Sequence, residues 1–581
     1  MEKEIHPLRH TASHLLAAAI KNIYPNVRLG TSHDNGTEFA YDFDFATPIK
    51  TEDFEKIEAE MERLLKLKPK MICLDKTRAE ARKILDKDSE IYKLELLAGI
   101  PRGDKITFYQ LDNFLDLCAG PHIEDVSKIK AFKLTKITGA YWRADESNKM
   151  LTRIYGVAFE KASMLEDYNK MQEDIKRRDH NRLGRELGIF TTVDCIGQGL
   201  PLFPHNGAKV MQILERFVED EQERRGYELT VTPRFAKKDL YEISGHWSHY
   251  KDNMYIIGNE VMDENVYALR PMTCPFQFFI YKQGVKSYRD LPCKYYETAN
   301  LFRKEKSGEM HGLIRVAEFR LTDSHIVCRE NQVEQVFGDV LDAFMFYMRA
   351  LGLEEDVSYR LSKGDITNKK NYVDNDKAWL SSEEKIRTVM KKRKMKFVEA
   401  DDEAAYYGPK IDIQIKNVHG KEDTLLTVQL DFALAEKFDL TYVDENGEKV
   451  RPFIVHHSVI GCLERIMALL IEKFAGALPV WLSATQVAIM GITSAHDEYI
   501  NDVFKQMQNA GIRIKKDIRN EKVGYKIREH TMAKIPYILV AGGKEMEGGL
   551  VSVRTREGVD MGQMLVSDFI ELVQKTCKEY K

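Results

Sequence analysis

Apolar positions recur along the chain with two periods. Through residues 10–24, HTASHLLAAAIKNIY, Leu15, Leu16, Ala19, Ile20 and Ile23 fall on one helical stripe that Pro25 stops. Val210, Ile213, Leu214, Phe217 and Val218 set a second stripe ending at Gly226, and a strand over 227–232 follows before Pro233. Residues 163–186 are charged and helical without a wide apolar face, which suits a linker helix or a solvated surface helix equally. Period two governs Arg303–Cys328, RKEKSGEMHGLIRVAEFRLTDSHIVC. Alternation from Leu313 to Phe319 predicts strand, polar turn at Lys306-Ser307-Gly308, and strand, hence an antiparallel hairpin. A strand at Phe453–Val455 precedes a helix entered at Gly461. After a boundary at Pro479, strand-like runs (487–492, 512–514, 537–541, 550–553) alternate with helical segments at 496–509, 521–533 and 561–578. That alternation predicts a small α/β domain with a largely parallel sheet.

A chain of 581 residues exceeds one hydrophobic core, so three or four domains are expected. Its hydrophobic fraction of 43%, charged fraction of 31% and net charge of -4 describe a soluble globular protein without an overall basic bias. Contact with nucleic acid must therefore come from local clustering. Lys515, Lys516, Arg519, Lys522, Lys526 and Arg528 form one such cluster, either a phosphate-binding face or a solvated one. No apolar run reaches bilayer length and the N-terminus lacks a secretory core, so no membrane partner and a cytoplasmic location are expected. Eight cysteines without CxxC pairs suggest reduced thiols. Neither a P-loop nor a GxGxxG dinucleotide motif is present.

Three groups carry candidate chemistry. Arg303 and Arg315 could share a hairpin face and meet a polyphosphate, or be ordinary surface charges. His10 and His14 lie one helical turn apart without the Glu of an HExxH site, and Asp116-Leu-Cys-Ala-Gly-Pro-His122 adds a thiol and an imidazole. A tetrahedral zinc, a metal-free hydrolytic pocket and satisfied core histidines all fit that set. Cys274, His325 and His456 are too far apart for spacing to say anything.

The stretch Arg303–Cys328 resembles the second signature motif of class II aminoacyl-tRNA synthetases. HGLIR followed by Asp323 and His325 is similar to threonyl-tRNA synthetases in particular. The helix, strand and proline of 210–233 resemble the first motif, which in the family builds the dimer interface, and Gly461 with Arg465 resemble the third. HxxxH with the later CxxxH, and GAYWRADESNKMLTRIYG at 139–156, resemble the editing domain shared by threonyl and alanyl enzymes. The resemblance covers essentially the whole chain. It implies an α+β multidomain fold: an editing domain at 1–162, a linker helix at 163–186, a class II antiparallel sheet core at 187–478 and an α/β anticodon-binding domain at 479–581.

The resemblance also implies roles. ATP would lie bent between Arg303, Arg315 and Arg465, with adenine on Phe319, Glu305 near the base and Mg2+ on the phosphates. Cys274, His325 and His456 would hold one zinc ion that takes threonine through its amine and hydroxyl. Asp323 and Tyr407 would contact the amino group, Gln429 and Lys410 would lie near substrate, and His246 would relay a proton at the ribose. His10, His14, Cys118 and His122, assisted by Asp116 and Lys93, would remove misattached serine. Asn520, Glu545 and Arg554 match readers of anticodon bases. The implied activity is ATP-dependent ligation of threonine to tRNA(Thr) by a homodimer, with editing of seryl-tRNA(Thr). Intact Arg303, Arg315 and Arg465 count against a catalytically silent, RNA-binding regulator, and the Cys274, His325 and His456 set counts against another class II specificity. The chain departs from the family at Thr273, Phe276, Leu321 and Cys462, and His10 so near its start suggests a shortened form, without the small extra N-terminal domain of many bacterial members.

Overall fold

The computed structural model describes residues 2–581 apart from 261, 307, 370, 419 and 421, with backbone alone at 2–6 and 249. Its contacts divide it into two compact units, Met1–Asp174 and Ile175–Lys581.

In the first unit helix α1 (Glu2–Ile23) is buried on every side over residues 11–20, not only along the apolar stripe. Ala12, Ala17, Ala18 and Ala19 give it the narrow girth this needs. It packs on an antiparallel sheet in the order β1 (Arg28–Asp34), β2 (Phe39–Asp44), β7 (Met150–Phe159), β6 (Ala131–Tyr141). A second sheet joins β3 (Met71–Lys76), β4 (Ile106–Leu111) and β5 (Phe114–Leu117), and helix α2 (Ile91–Gly99) supplies Lys93. Strand β5 delivers Asp116 and ends just before Cys118, while α1 delivers His10 and His14.

The segment read as one linker helix is two. Helix α3 (Ala162–Arg178) stops at Asp179, whose carboxylate accepts the Arg182 N–H at 2.7 Å and starts α4 (His180–Glu186). His180, Leu183 and Gly184 on α4 are buried, so this part is no solvated helix. Helix α5 (His205–Arg224) buries Val210, Leu214 and Val218 as its stripe predicts. Of the strand expected at 227–232 only β8 (Glu228–Leu229) pairs. Thr232 turns its hydroxyl to Glu297 at 2.7 Å, and Pro233 has no N–H to offer a ladder.

The central sheet runs β12 (Phe397–Ala400), β11 (Val357–Ser362), β13 (Lys410–Lys416), β14 (Glu422–Asp431), β15 (Phe453–His457), β10 (Glu318–Cys328), β9 (Cys293–Phe302), β8, antiparallel except for the pair at each edge. Helix α6 (Cys274–Tyr281) carries Cys274, and helix α7 (Leu463–Lys473) follows β15 and carries Arg465. The hairpin exists as β9 and β10, but the alternating residues 313–317 precede the strand. They form a tight turn in which His311 O accepts the Ile314 and Arg315 N–H groups. Gly312, at φ +49°, lets the chain double back, so these residues form a turn and not a ladder. Ser307 of the expected turn lies outside the described residues.

The last region forms the sheet β17 (Ile514–Asp517), β16 (Val487–Gly491), β18 (Tyr537–Ala541), β19 (Leu550–Thr555), β20 (Asp560–Leu565). Only the pairs of β16 with β17 and β18 are parallel, so the sheet is half antiparallel. The expected helix at 561–578 yields its first turn to β20, because Asp560 to Leu565 complete the edge of β19 before α8 (Val566–Lys578) begins. No described helix is long and apolar enough to cross a membrane.

Candidate functional site

Alternation along β10 turns Phe319, Leu321, Asp323 and His325 into one cleft of about 620 Å³. Register then decides the chemistry. His325 on β10 and Gln429 on β14 both stand opposite His456 on β15, and α6 brings Cys274 to the same end. The ligand atoms of Cys274, His325 and His456 all lie within 4.8 Å of one another, and the two rings are perpendicular at 4.7 Å. His325 Nδ1 donates to Gln277 Oε1 at 2.5 Å and His456 Nε2 to Asp431 Oδ2 at 2.9 Å. Each ring thus keeps its other nitrogen as a lone pair, the arrangement by which second partners orient metal-bound histidines. Burial and the neighbouring His456 hold His325 well below the usual imidazole range, and therefore neutral. Burial, with Asp323 and Asp431, pushes the Cys274 thiol well up, a cost that a cation between these groups would reverse. One thiolate and two oriented imidazoles suit zinc with a position left open.

Asp323 is fixed by Thr273, whose hydroxyl donates to Oδ2 at 2.5 Å and whose N–H lies at 3.3 Å. Tyr407 donates to Gln429 Oε1, and its ring lies 5.4 Å from His456. His246 Nδ1 meets Ser244 Oγ at 2.7 Å at the rim of the cleft. Lys410 is not in the lining; its ammonium pairs with Asp412 at 2.8 Å.

Arg303, Arg315 and Arg465 all reach the cleft but are held differently. Arg303 lies 5.1 Å over Phe319, so a guanidinium covers one face of the ring expected to carry adenine. Arg315 is paired with Glu305 at 2.6 Å and Glu309 at 2.8 Å, which places Glu305 on the arginine. Arg465 donates Nε to Ile314 O at 3.0 Å and Nη1 to Thr424 O at 2.8 Å, two contacts that aim the rest of its fork.

A second cluster stands in the first unit, where the donor atoms of His10, His14, Cys118 and His122 also lie within 4.8 Å of one another. His10 Nδ1 donates to Pro121 O at 3.1 Å, which leaves Nε2 as the acceptor facing Cys118 Sγ at 3.3 Å. Thr11 spends its only hydroxyl hydrogen on Pro7 O, so His122 Nδ1 must donate to Thr11 Oγ1, and its Nε2 also faces the thiol, at 3.4 Å. His10 Nε2 also receives the Ser32 hydroxyl at 3.0 Å, so the sulfur shares that lone pair with a serine. Burial pushes that thiol up to about 11 and holds His14 well below the imidazole range. Buried Asp116 accepts from Lys93 at 2.7 Å and Tyr41 at 2.6 Å and faces His14 Nδ1 at 3.5 Å. The set can hold a water or an ester between imidazoles, and its four donors would also fit a tetrahedral ion.

In the last region Asn520 is exposed and Arg554 is half-exposed beside Asp560 at 3.9 Å. Glu545 is buried, its carboxylate held down to about 2 by Ser552, the Gly542 N–H and Gln563. The expected basic face is narrower than its count suggests: Arg519 is paired with Asp517 and Glu529, and Lys526 is buried against Asp517 O.

Sequence reasoning missed Gln277, Asp431 and Tyr41. Gln277 sits three residues after Cys274 on α6 and Asp431 two after Gln429 on β14, so helix and strand periods pointed to both once the first residue of each pair was chosen. Nothing local marked Tyr41.

Residues 258–474 match the class II core domain of tRNA synthetases (G, H, P, S and T), 486–576 an anticodon binding domain, and 106–155 the threonyl and alanyl tRNA synthetase second additional domain. The RNA binding domain of threonyl-tRNA synthetase from Cryptosporidium parvum Iowa II superposes with a TM-score of 0.64 at 29% identity, over 69% of this chain and 98% of that one. Threonine–tRNA ligase of Geobacillus kaustophilus is 41% identical over 100% of this chain and 88% of its own. That of Clostridium botulinum (strain Alaska E43, type E3) is 52% identical over 97% of this chain and 87% of its own. With that much sequence shared from end to end, the chain belongs to the threonine–tRNA ligase family.

Proposed function

We propose that this protein activates threonine with ATP, passes it to tRNA(Thr) in the cytoplasm as a homodimer, and hydrolyses seryl-tRNA(Thr) in the first unit. The observation that carries the reading is the meeting of Cys274, His325 and His456 beside Asp323, at one end of a cleft that also holds three arginines. Zinc bound by those three side chains would supply a Lewis-acid contact for the substrate amine and β-hydroxyl. Asp323 and Tyr407 contact the amino group, and Gln429, which accepts from the Tyr407 hydroxyl, lies near the substrate. Arg303, Arg315 and Arg465 offset charge on ATP while the threonine carboxylate attacks the α-phosphate and pyrophosphate leaves, with no covalent enzyme intermediate. Mg2+ with ATP would offset the phosphate charge that remains. His246 then takes the proton of the attacking ribose hydroxyl.

Two sites follow from the chemistry of the substrate. Valine lacks the hydroxyl and is rejected strongly, whereas serine lacks only a methyl, worth roughly 1–3 kcal/mol. Leaked serine is then removed in the pocket of His10, His14, Cys118 and His122, where Asp116 and Lys93 fix the polar frame. We assign 1–162 to editing, 163–186 to the link, 187–478 to activation and 479–581 to anticodon binding, with Asn520, Glu545 and Arg554 toward the bases. Amino-acid-dependent pyrophosphate exchange with threonine, serine and valine tests the reading. Threonine should give the strongest signal, serine a weaker one and valine almost none. Exchange insensitive to threonine would refute the assignment of this cleft to threonine activation.

A further inference from the structure

His180 lies on α4, in the segment whose sequence suggested only a linker, and it is fully buried. Its Nδ1 lies 2.6 Å from Glu472 Oε1 near the end of α7, the helix whose first turn carries Arg465. A carboxylate accepts, so that nitrogen bears the hydrogen and Nε2 is a lone pair. The Leu313 N–H donates to Nε2 at 3.3 Å, two residues before Arg315. One imidazole is therefore bonded both to the loop carrying Arg315 and to the helix carrying Arg465.

Two more features belong to this contact. A Cβ on Gly312 would stand 2.1 Å from His180 Nε2, so only glycine lets the loop approach so closely. Arg178, two residues before His180, donates to Lys473 O at 2.9 Å and ties the same segment to the end of α7. The loop is gripped again one residue on, where Arg465 Nε meets Ile314 O at 3.0 Å. Leu313 itself is fully buried, so its N–H has no recourse to water if His180 is lost.

We propose that His180 is a positioning residue for activation, holding the loop of Arg315 against the helix of Arg465 through its Nε2 acceptor. The inference rests on the activity proposed above, in which both arginines face ATP. Two near-isosteric variants of the full chain separate its two bonds. His180→Asn keeps a donor for Glu472 but has nothing to reach Leu313, whereas His180→Gln places an acceptor near the former Nε2. In threonine-dependent pyrophosphate exchange, His180→Asn should raise KM for ATP about tenfold, the cost of one stranded buried N–H, with KM for threonine within about twofold. His180→Gln should stay within about threefold of wild type on both. Hydrogen exchange at 311–316 should quicken in His180→Asn and not in His180→Gln. Equal effects of the two variants, or equal rises in both KM values, would overturn the proposal. Absence of exchange activity in wild type would sink the functional reading alone, and the loop amides would still decide whether Nε2 holds the turn.

Discussion

Thr273 shows how much one hydroxyl controls in this cleft. It supplies Oδ2 of Asp323 with an O–H and an N–H, and Oδ1 is the oxygen left for the substrate contact proposed above. Removing a hydrogen bond to a charged acceptor costs about 1.5–3 kcal/mol, so Thr273→Val should raise KM for threonine on the order of tenfold or more, and Thr273→Ser should restore it. Pyrophosphate exchange at varied threonine measures both. Cys274→Ser should lower both the zinc retained after purification and threonine activation; full metal content in the variant would contradict the ligand assignment. A third residue sets a pH dependence. Burial raises the Glu464 carboxyl from 4.5 to about 7. Its contribution to stability is therefore fully present below pH 4.5 and is lost as pH rises through about 7, on the order of 3 kcal/mol in all. Glu464→Gln should gain stability over wild type between about pH 5 and about pH 8, which urea denaturation at the two pH values would measure; parallel curves would refute it. These roles depend on neighbours far along the chain. Thr273 drew notice only as a departure from the family, and Glu464 drew none.

At the scale of elements, the hairpin was legible but its second strand was read too early, at 313–319; β10 spans Glu318–Cys328, where a period of two puts Phe319, Leu321, Asp323 and His325 on one face that the cleft uses. The turn before it was not legible. Leu313, Val316 and Ala317 are buried without a strand's period while Gly312 reverses the chain and His311 closes the turn. Burial pattern and ladder pairing are separate facts, and a sequence displays only the first. Gly461 makes the opposite case, since it marks the entrance of α7 in the sequence and in space. At φ +71° it passes so close to β14 that a Cβ would sit 2.5 Å from Leu425 O. Gly461→Ala should therefore cost more than about 1 kcal/mol in stability and lower pyrophosphate exchange by displacing the start of α7 and Arg465. A variant as stable and active as wild type would show that the contact yields freely.

For the molecule as a whole, the two candidate chemistries stand in different compact units. His10→Ala with His14→Ala should slow seryl-tRNA(Thr) hydrolysis about a hundredfold or more while leaving threonine activation unchanged, as deacylation and pyrophosphate exchange on one preparation would show. A fall in both would mean that the units do not act independently. The sequence by itself determined where most helices and strands lie, though not their ends, and which side chains have the chemistry to bind phosphate, metal or ester. Period, turn residues and side-chain type are local properties, legible one window at a time. Tertiary structure alone decided that His325 stands opposite His456, that Asp116 receives Tyr41 and Lys93 together, that Arg519 is neutralised, and that His180 faces a loop 133 residues away. Strand register and the packing of distant segments set those meetings, because burial of one face must be satisfied by a partner that no local window contains.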